Sequence, residues 1–536
     1  MSASARRTDG PWNETCAEQI GAAWLRDALA PGGALGRAAR ERERAFEPGD
    51  EAAALAAIER VAHAAATLAA GGAASLRATI AGAPDPGPAL VRARTGGVLG
   101  DVDFFELSRF ADALAEVNTL AAESVFAELV PPDASGLRAL LGAGRTAERT
   151  FYLADSFDAA LAAARDDAAL RRTEYDLARS RLAERVARYA GVERVRDGEF
   201  VLMRDAIVLP VPPEIRVVRE TSTYLLCEIS LDEPALEALR ALDAANVRAA
   251  EAEERVRGVL SLGVAAAAAE LEGAAEMLGA LDLFLARVAF AQRHACVVPD
   301  VVESAEIAFT DARYLPLEAT LERHGRRYAP ISLELTGIGI VTGPNMGGKT
   351  AALRTLGFLA ACVAVGVPVP ASDARIALFD DIAWLGIGTA ASEEGLLSAF
   401  GSEVVAVRAF LAGTARRALV LIDEFARTTS PLEGRALLIA LLETLRARGA
   451  VALAATHLAN VVPGGAAHFA IGGLADLPPR GDAPLDLETA LARIANSMDY
   501  RLRRAGEDAV PISDAIALAD ALGLEPELIA RARANL

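Results

Sequence analysis

The spacing of apolar and polar positions predicts helices over most of the first 300 or so residues. Residues 51–67, EAAALAAIERVAHAAAT, place apolar side chains at helical intervals after a Pro-Gly break. Residues 101–195 predict three or four amphipathic helices. Two long helices are expected next, over residues 233–262 and 264–292, and the acids and arginines at helical spacing in the first are typical of extended arms.

Two segments depart from this helical pattern. After Gly198, short β-rich runs separated by Asp205 and several prolines predict a small sheet or hairpin. From residue 330 onward, short apolar strands alternate with helices, in the order ELTGIGIVTG, ARIALFD, ALVLIDE and AVALAAT. Such alternation is typical of an α/β sheet covered by helices. The predicted fold class is therefore an α/β domain preceded by a mainly α-helical domain with a small β element.

These changes of pattern predict three domains in the 536 residues. Residues 1–90 form an N-terminal helical segment, residues 91–325 a helical core with long arms, and residues 326–536 the α/β domain, which ends in a helical segment from residue 512 onward. The sequence contains no repeat of fixed period, so a solenoid is not expected.

Composition narrows the function classes. The chain has 54 Lys and Arg against 73 Asp and Glu, a net charge of −19, which excludes a basic nucleic-acid coat. Its four cysteines form no CxxC pair and no zinc or disulfide framework, so a cytoplasmic location is expected. No apolar run of a signal peptide follows the N-terminus. Residues 355–372 carry no charge, but Gly and Pro interrupt them, which predicts a buried helix, a turn and a strand, and no membrane span.

The strongest chemical signal is the octapeptide GPNMGGKT at residues 343–350, a full match to GxxxxGK[ST] between an apolar strand and a helix. Glycines let backbone N–H groups close around phosphate oxygens, and the helix N-terminus adds a positive dipole end. Lys349 is expected to reach the β and γ phosphates of ATP, and Thr350 to ligate Mg²⁺. The predicted nucleotide-binding residues are Gly343, Pro344, Asn345, Met346, Gly347, Gly348, Lys349 and Thr350. The alternative is a Gly-rich turn without nucleotide.

Two further elements fit hydrolysis of ATP. The apolar strand ALVLI at residues 418–422 ends in two carboxylates, of which Asp423 is expected in the Mg²⁺ shell and Glu424 as the general base that accepts a hydrogen bond from the attacking water. The alternative is a pair of surface acids at a strand end. His457, after the strand at 451–455, is placed where a neutral imidazole could sense the γ phosphate. The other histidines stay unassigned.

Taken together, these motifs resemble those of the MutS mismatch-repair ATPases. The loop TGPNMGGKT is similar to the family's loop, residues 423–434 (DEFARTTSPLEG) to its D-E-[IL]-G-R-G-T-S-x-x-D-G segment, and residues 455–457 to its ATH. Upstream, ANVRAAEAEERVRGVLSLG and LDLFLARVAFAQ resemble its lever and clamp helices, and residues 313–318 (RYLPLE) its R-H-P-L-L-E. The resemblance implies an ABC-type P-loop ATPase domain. It also suggests that Tyr328 stacks on adenine, with a core position as the alternative.

The resemblance further implies a homodimer joined through the ATPase domains. Residues 395–403, GLLSAFGSE, resemble the family loop that contains S-T-F-x-x-E and acts in trans, so Ser398 of one subunit is expected near the γ phosphate bound by the other. The C-terminal LADALGLEPELIARARANL resembles the helix-turn-helix that packs across the family's dimer.

Departures from the family pattern bear on the client, which is the molecule on which the ATPase acts. The 90 or so residues before the helical core are too few for the mismatch-reading domain and its connector. The tripeptide Phe104-Phe-Glu106 imitates that domain's F-x-E wedge, but the helical spacing around it favours a core position. Ala426 and Thr428 replace the two glycines of D-E-I-G-R-G, which indicates a divergent branch.

The function implied is an ATP-driven conformational switch. A divergent MutS-like group with a DEFARTT-type segment is one subunit of the reactivating factor for cobalamin- and pyridoxal-phosphate-dependent lysine or ornithine aminomutases. The first hypothesis is therefore a protein client, an aminomutase, with an accessory subunit. The alternative is a DNA-binding MutS paralogue of mismatch repair or recombination, although the predicted arms hold acids at least as often as bases, which disfavours phosphate contacts. A nucleotide-gated dimer without turnover is the third possibility.

Overall fold

The structure is a computed structural model. It describes residues 10–68, 70–122, 126–144, 150–192, 195, 199–207, 210–344, 348–386, 399–458, 461–474, 494, 497–505 and 515–535.

The chain forms two compact units. One contains Met1–Ala81, Leu120–Val130 and Leu278–Leu536, and the other contains Gly82–Thr119 and Pro131–Met277. These bounds differ from the predicted divisions at residues 90 and 325. The reason is that apolar side chains of the N-terminal helices share one hydrophobic core with the α/β segment.

The Gly82–Thr119 and Pro131–Met277 unit is mainly helical, as expected for this part of the chain. Phe104 of its second helix is fully buried and packs against Phe151, with ring centroids 5.1 Å apart, so the wedge-like tripeptide occupies a core position. Its helices are α6 (Gly87–Arg94), α7 (Asp101–Ala121), α8 (Ser135–Leu141), α9 (Ala159–Ala190) and most of α10 (Glu233–His294).

A small antiparallel sheet confirms the predicted β element. Strands β1 (Glu199–Met203), β2 (Ile215–Glu220) and β3 (Tyr224–Ile229) pair in the order β1-β3-β2. Its buried face, which includes Leu202 and Cys227, packs against Leu182 and Val186 of α9.

The long arm helix corrects the sequence prediction. Residues 233–262 and 264–292 form one helix of 62 residues, α10, and not two. The expected break at Gly263 is absent because a lone glycine costs a helix only about 1 kcal/mol relative to alanine. Apolar side chains on both sides of it, Leu260 and Val264, are buried and supply more than that.

In the other unit, the N-terminal helices pack on the α/β segment. Ile20 is fully buried against the helix that follows the Gly-rich loop, and Trp12 and Leu25 belong to the same core. A backbone hydrogen bond also connects the two segments, since Ile382 N–H donates to the carbonyl of Pro11 at 2.6 Å. These helices are α1 (Glu14–Ile20), α2 (Ala22–Ala28), α3 (Ala34–Arg42), α4 (Glu51–Thr67) and α5 (Ala70–Gly82).

Two sheets build the α/β segment. The larger has the order β13-β12-β7-β11-β10-β9, in which all neighbours are parallel except β12 and β13. The smaller has the order β4-β8-β5-β6. The strands are β4 (Asp300–Val302), β5 (Glu306–Ala312), β6 (Ile331–Thr336), β7 (Ile338–Thr342), β8 (Asp373–Ala377), β9 (Asp381–Gly386), β10 (Ala418–Asp423), β11 (Val451–Ala455), β12 (Ala467–Leu474) and β13 (Met498–Arg504).

The central strands β7, β10 and β11 are buried along their whole length, as their continuous apolar runs predict for a sheet covered on both faces. Helices α11 (Leu315–Arg323), α12 (Lys349–Ala364), α13 (Ala399–Leu411), α14 (Pro431–Ala447), α15 (Ala515–Ala521) and α16 (Pro526–Ala534) complete this segment.

The uncharged run at residues 355–372 lies mostly in α12, whose residues from Thr355 to Ala364 are all buried. Within the described ranges, no helix is long and apolar enough to cross a membrane.

Gly357→Ala tests the packing of α1 on α12. A Cβ at Gly357 would lie 2.5 Å from Ile20 Cγ2 and 2.8 Å from Leu421 Cδ1. We expect this overpacking to lower the free energy of unfolding by about 1–3 kcal/mol, measured as a lower thermal midpoint. The control is Gly464→Ala, where an added Cβ meets nothing within 4 Å. An unchanged midpoint in Gly357→Ala would show that α1 does not pack here.

Candidate nucleotide site

The topology of the larger sheet brings three predicted segments to one edge. Strand β11 pairs with β7 on one side and with β10 on the other, all three parallel. Because carboxyl ends of parallel strands meet at the same sheet edge, the loop from Gly343, the Asp423-Glu424 pair and His457 converge there. The structure therefore brings together residues that are more than 100 positions apart in the chain.

The described ends of the Gly-rich loop have the geometry that its glycines allow. Gly348 adopts a φ of 97°, in the left-handed region, and α12 begins directly after it at Lys349. The ammonium group of Lys349 donates hydrogen bonds to the carbonyls of Gly343 at 2.8 Å and Pro344 at 3.0 Å. Burial lowers the pKa of Lys349, and the carboxylates of Glu424 and Asp423 act in the opposite direction. The ammonium thus lies against the first two residues of the loop.

The hydroxyl of Thr350 faces the carboxylate of Asp423. Thr350 Oγ1 donates to the two Asp423 oxygens over 3.2 and 3.1 Å. Burial raises the pKa of Asp423, while the Thr350 hydrogen bond lowers it. A hydroxyl and a carboxylate are hard oxygen ligands that Mg²⁺ accepts from proteins when phosphates and water complete its octahedron. The oxygen atoms of Thr350 and Asp423 therefore fit Mg²⁺. Within the described part of the chain, no cluster of three or more His, Cys, Asp or Glu could hold a metal ion.

Glu424 follows in a strained backbone conformation. Its φ is 50°, and its N–H donates to the carbonyl of Ala455 at 3.0 Å, which fixes the turn against β11. Its carboxylate is largely buried, lies 3.2 Å from the guanidinium of Arg427 and 3.9 Å from Nδ1 of the more exposed His457. Together with Pro344, Lys349 and Thr350, it lines a pocket of about 280 Å³. The predicted base and the predicted phosphate ligands thus share one cavity.

The remaining predicted residues are less closely tied to this cavity. Asn345, Met346, Gly347 and Ser398 lie outside the described residues. Tyr328 is partly buried, and its hydroxyl lies 3.2 Å from Oγ1 of Thr355 inside the core. Burial raises the pKa of this phenol. These contacts favour the core alternative for Tyr328, and stacking on adenine stays a prediction.

Glu403 was not predicted as a site residue, yet it stabilises the turn that follows the predicted base, Glu424. Its carboxylate is buried and accepts a hydrogen bond of 2.7 Å from the N–H of Ala426, two residues after Glu424. Burial raises its pKa and this bond lowers it. Ala426 has a φ of 61°, so a left-handed residue stands where the resembling family has glycine. The signal available in the sequence was the acid that ends GLLSAFGSE, in the position of the final glutamate of the family's S-T-F-x-x-E.

Two other neighbours of the loop were also missed. Arg354 lines the same pocket one helical turn after Thr350, a position that the spacing of residues i and i+4 on a helix indicates. His468 Nε2 lies 2.9 Å from Oγ1 of Thr342, the residue before the loop, and both side chains are buried. No local pattern marked His468, because β12 becomes the neighbour of β7 only in the folded sheet.

This sheet edge, with its Lys-Thr pair, acidic strand end and pocket, has the arrangement of a P-loop nucleotide site. Residues 339–469 match the family model described as MutS domain V. The endonuclease MutS2 of Streptococcus sanguinis is 38% identical over 191 residues, which are 35% of this chain and 24% of that protein. The endonuclease MutS2 of Agathobacter rectalis is 34% identical over 219 residues, 40% and 27% of the two chains.

A longer match, to the endonuclease MutS2 of Listeria monocytogenes, is 29% identical over 294 residues, 54% of this chain and 37% of that protein. The chain thus spans between about a quarter and two fifths of the length of these curated relatives. The comparisons support the expected similarity to MutS ATPase domains, and they give no support for an aminomutase client.

Ala426→Gly tests the strain in the turn after Glu424. Glycine adopts a positive φ without steric cost, so we expect the free energy of unfolding to rise by roughly 0.5–1 kcal/mol, visible as a higher thermal midpoint. The control is Ala440→Gly on the exposed face of α14, which should lower that free energy by about 1 kcal/mol. Equal destabilisation by both changes would contradict the strained turn.

Proposed function

We propose that the protein is an ATPase that couples binding and hydrolysis of Mg·ATP to conformational change. The observation that carries the proposal is the hydrogen bond of the Thr350 hydroxyl to the Asp423 carboxylate, because Thr350 also lines a pocket with Lys349 and Glu424. A Gly-rich turn without nucleotide would not require a cation, a hydroxyl bonded to a buried carboxylate and a second carboxylate around one cavity.

Each residue has a chemical task in this proposal. Lys349 exchanges its two backbone carbonyls for phosphate oxygens, and so contributes positive charge where charge develops during cleavage. Thr350 and Asp423 would hold Mg²⁺, which would neutralise phosphate charge. Glu424 orients the attacking water and accepts its proton. Nδ1 of His457 lies 3.9 Å from a carboxylate oxygen of Glu424, and we assign this imidazole to sensing the γ phosphate.

The nucleotide would also join two copies of the chain. In the resembling family the loop before α13 acts in trans, and this assigns Ser398 to the γ phosphate of the partner. The long helix α10 then offers a path for movement, since it continues through the boundary between the two compact units at Met277 and Leu278.

A protein client is the first choice. Several arginines of α9 pair with acids: Arg165 pairs with Asp155 at 2.7 Å and with Glu253 at 2.8 Å. Arg171 and Arg172 pair with carboxylates of their own helix, and Arg248 of α10 pairs with Asp167 at 2.7 Å. Cations neutralised in this way release few counterions from DNA, so they support a surface for a protein.

Within this choice, the DEFARTT-type segment suggests reactivation of a cobalamin- and pyridoxal-phosphate-dependent aminomutase, with an accessory subunit. The chain would then open the client complex so that a damaged cobalamin leaves, and its own chemistry would be confined to a P–O bond.

DNA is the second candidate client. The observation that favours it is the similarity to endonuclease MutS2 proteins, of which the matches cover only part. A DNA-binding role in repair or recombination would use the same ATPase site.

Glu424→Gln tests the base. We expect ATP to stay bound and the nucleotide-joined dimer to persist, while phosphate release falls by about 10² or more. Bound nucleotide, phosphate release and sedimentation are measured on the full chain. Glu443→Gln, the same change on the exposed face of α14, should leave all three unchanged. Unaltered turnover in Glu424→Gln would remove this residue from the base role.

The client is tested by binding to homoduplex, mismatched and branched DNA at about 50–150 mM salt. We expect weak binding with a shallow salt slope, and co-purification with a cobalamin-dependent aminomutase when the two are co-expressed. Tight DNA binding with a steep salt slope, or cleavage of these DNAs, would instead support the DNA client. A failure of the aminomutase to co-purify would remove that specific client.

A further inference from the structure

The N-terminal helix α1 reaches the proposed nucleotide site through one side chain. Gln19 Oε1 accepts a hydrogen bond of 3.0 Å from Nη2 of Arg354 on α12. Residues 10–20 lie outside the segment that matches MutS domain V, which starts at residue 339. A contact over 335 positions thus connects the first helix of the chain to the phosphate-binding helix.

Arg354 is placed to influence the metal ligands. It lies one turn after Thr350 on the same face of α12, and it lines the pocket with Lys349 and Glu424. Its positive charge is close enough to oppose the increase in the pKa of Asp423 that burial causes. Its Nε is buried and has no hydrogen-bond partner within the described part of the chain. The guanidinium is therefore fixed mainly through Gln19.

Gln19 is itself held in place. Asn13 caps the first turn of α1, since its Oδ1 accepts the N–H of Cys16 at 2.8 Å, and Gly21 ends the helix with a φ of 77°. Ile20, the next residue, is fully buried against Gly357 of α12. The amide of Gln19 is thus presented to Arg354 from a rigid element.

A guanidinium released from Gln19 would be free to pair with Asp423, whose pKa its charge already lowers. Arginine binds carboxylates strongly and often through two hydrogen bonds. An Arg354–Asp423 pair would occupy the oxygens that a divalent cation needs, so the metal and the arginine would compete for them.

We propose that Gln19 is a positioning residue of the nucleotide site, which holds the Arg354 guanidinium on the α1 side and keeps Asp423 available to Mg²⁺. The inference rests on the proposed function, because it assigns Mg·ATP to this pocket. It makes α1 part of the ATPase machinery, so changes in the N-terminal helices would alter the metal dependence of nucleotide binding.

Gln19→Ala, made in the full chain, tests this inference. The readout is equilibrium binding of a fluorescent ATP analogue, titrated with Mg²⁺ and repeated in EDTA. We expect the Mg²⁺ concentration for half-maximal binding to rise about 3- to 10-fold, which lies in the lower part of the range of coupling between contacting residues. Binding in EDTA should be unchanged, since Gln19 acts through the metal ligand.

The matched control is Gln292→Ala. Gln292 is also partly buried in this unit, but its amide donates to the carbonyls of Ala65 and Leu68. It should bind nucleotide with the wild-type Mg²⁺ dependence.

Arg354→Gln and the double variant Q19A/R354Q complete a double-mutant cycle with Gln19→Ala and the wild type. Without the guanidinium, Gln19 has no cation to hold away from Asp423, so its loss should add nothing to Arg354→Gln. Gln19→Glu keeps an acceptor for Arg354 and should retain a near-normal Mg²⁺ dependence, which guards against a folding defect in Gln19→Ala.

A Gln19→Ala variant that behaves as the Gln292→Ala control, or effects that simply add in the double variant, would overturn the inference. A wild-type chain that binds no Mg·ATP would instead overturn the proposed function.

Discussion

The proximity of the Thr350 hydroxyl to the Asp423 carboxylate depends on one constraint, the parallel pairing of β7, β11 and β10. With β11 between the other two, the loop after β7 and the acids after β10 lie on either side of Thr456 and His457. The two oxygen groups then face each other at 3.1–3.2 Å. A change of strand order would separate them, and no side chain could compensate across the width of a further strand.

Around this pair, the protein keeps several groups in costly states. Lys349, Asp423 and Glu403 are buried ionisable residues, and Glu424 and Ala426 have positive φ angles. Buried charge and backbone strain persist only when neighbours fix them. The carbonyl of Ala455, the carboxylate of Glu403 and the Lys349 hydrogen bonds supply that support. Such an arrangement is typical of a site that is organised before its ligand arrives.

The arms have a different physical character. Their arginines and acids pair with each other along α9 and α10, so the exposed charge is mostly balanced locally. Exposed pairs of this kind contribute little to stability, but they reduce attraction to a polyanion. The site therefore argues for nucleotide chemistry independently of the client, and the choice of client depends on the charged surfaces of these helices.

The sequence by itself determined what depends on neighbours in the chain. GPNMGGKT predicts a tight loop that opens a helix, ALVLIDE a buried strand that ends in acids, and EAAALAAIERVAHAAAT a helix that the structure confirms from Glu51 to Thr67. Glycine positions, apolar periodicity and strand-end acids are local signals. They were sufficient for Lys349, Thr350, Asp423 and Glu424 as candidates.

Only the tertiary structure decided which distant segments meet. The N-terminal helices share a core with the α/β segment, and α10 is continuous across Gly263. The hydroxyl of Tyr328 contacts Thr355 in the core. Gln19 accepts a hydrogen bond from Arg354, and Glu403 accepts one from the N–H of Ala426. Such contacts depend on the packing of whole elements. Local backbone preferences carry no information about them, because the free energy that selects them comes from burial shared among residues hundreds of positions apart.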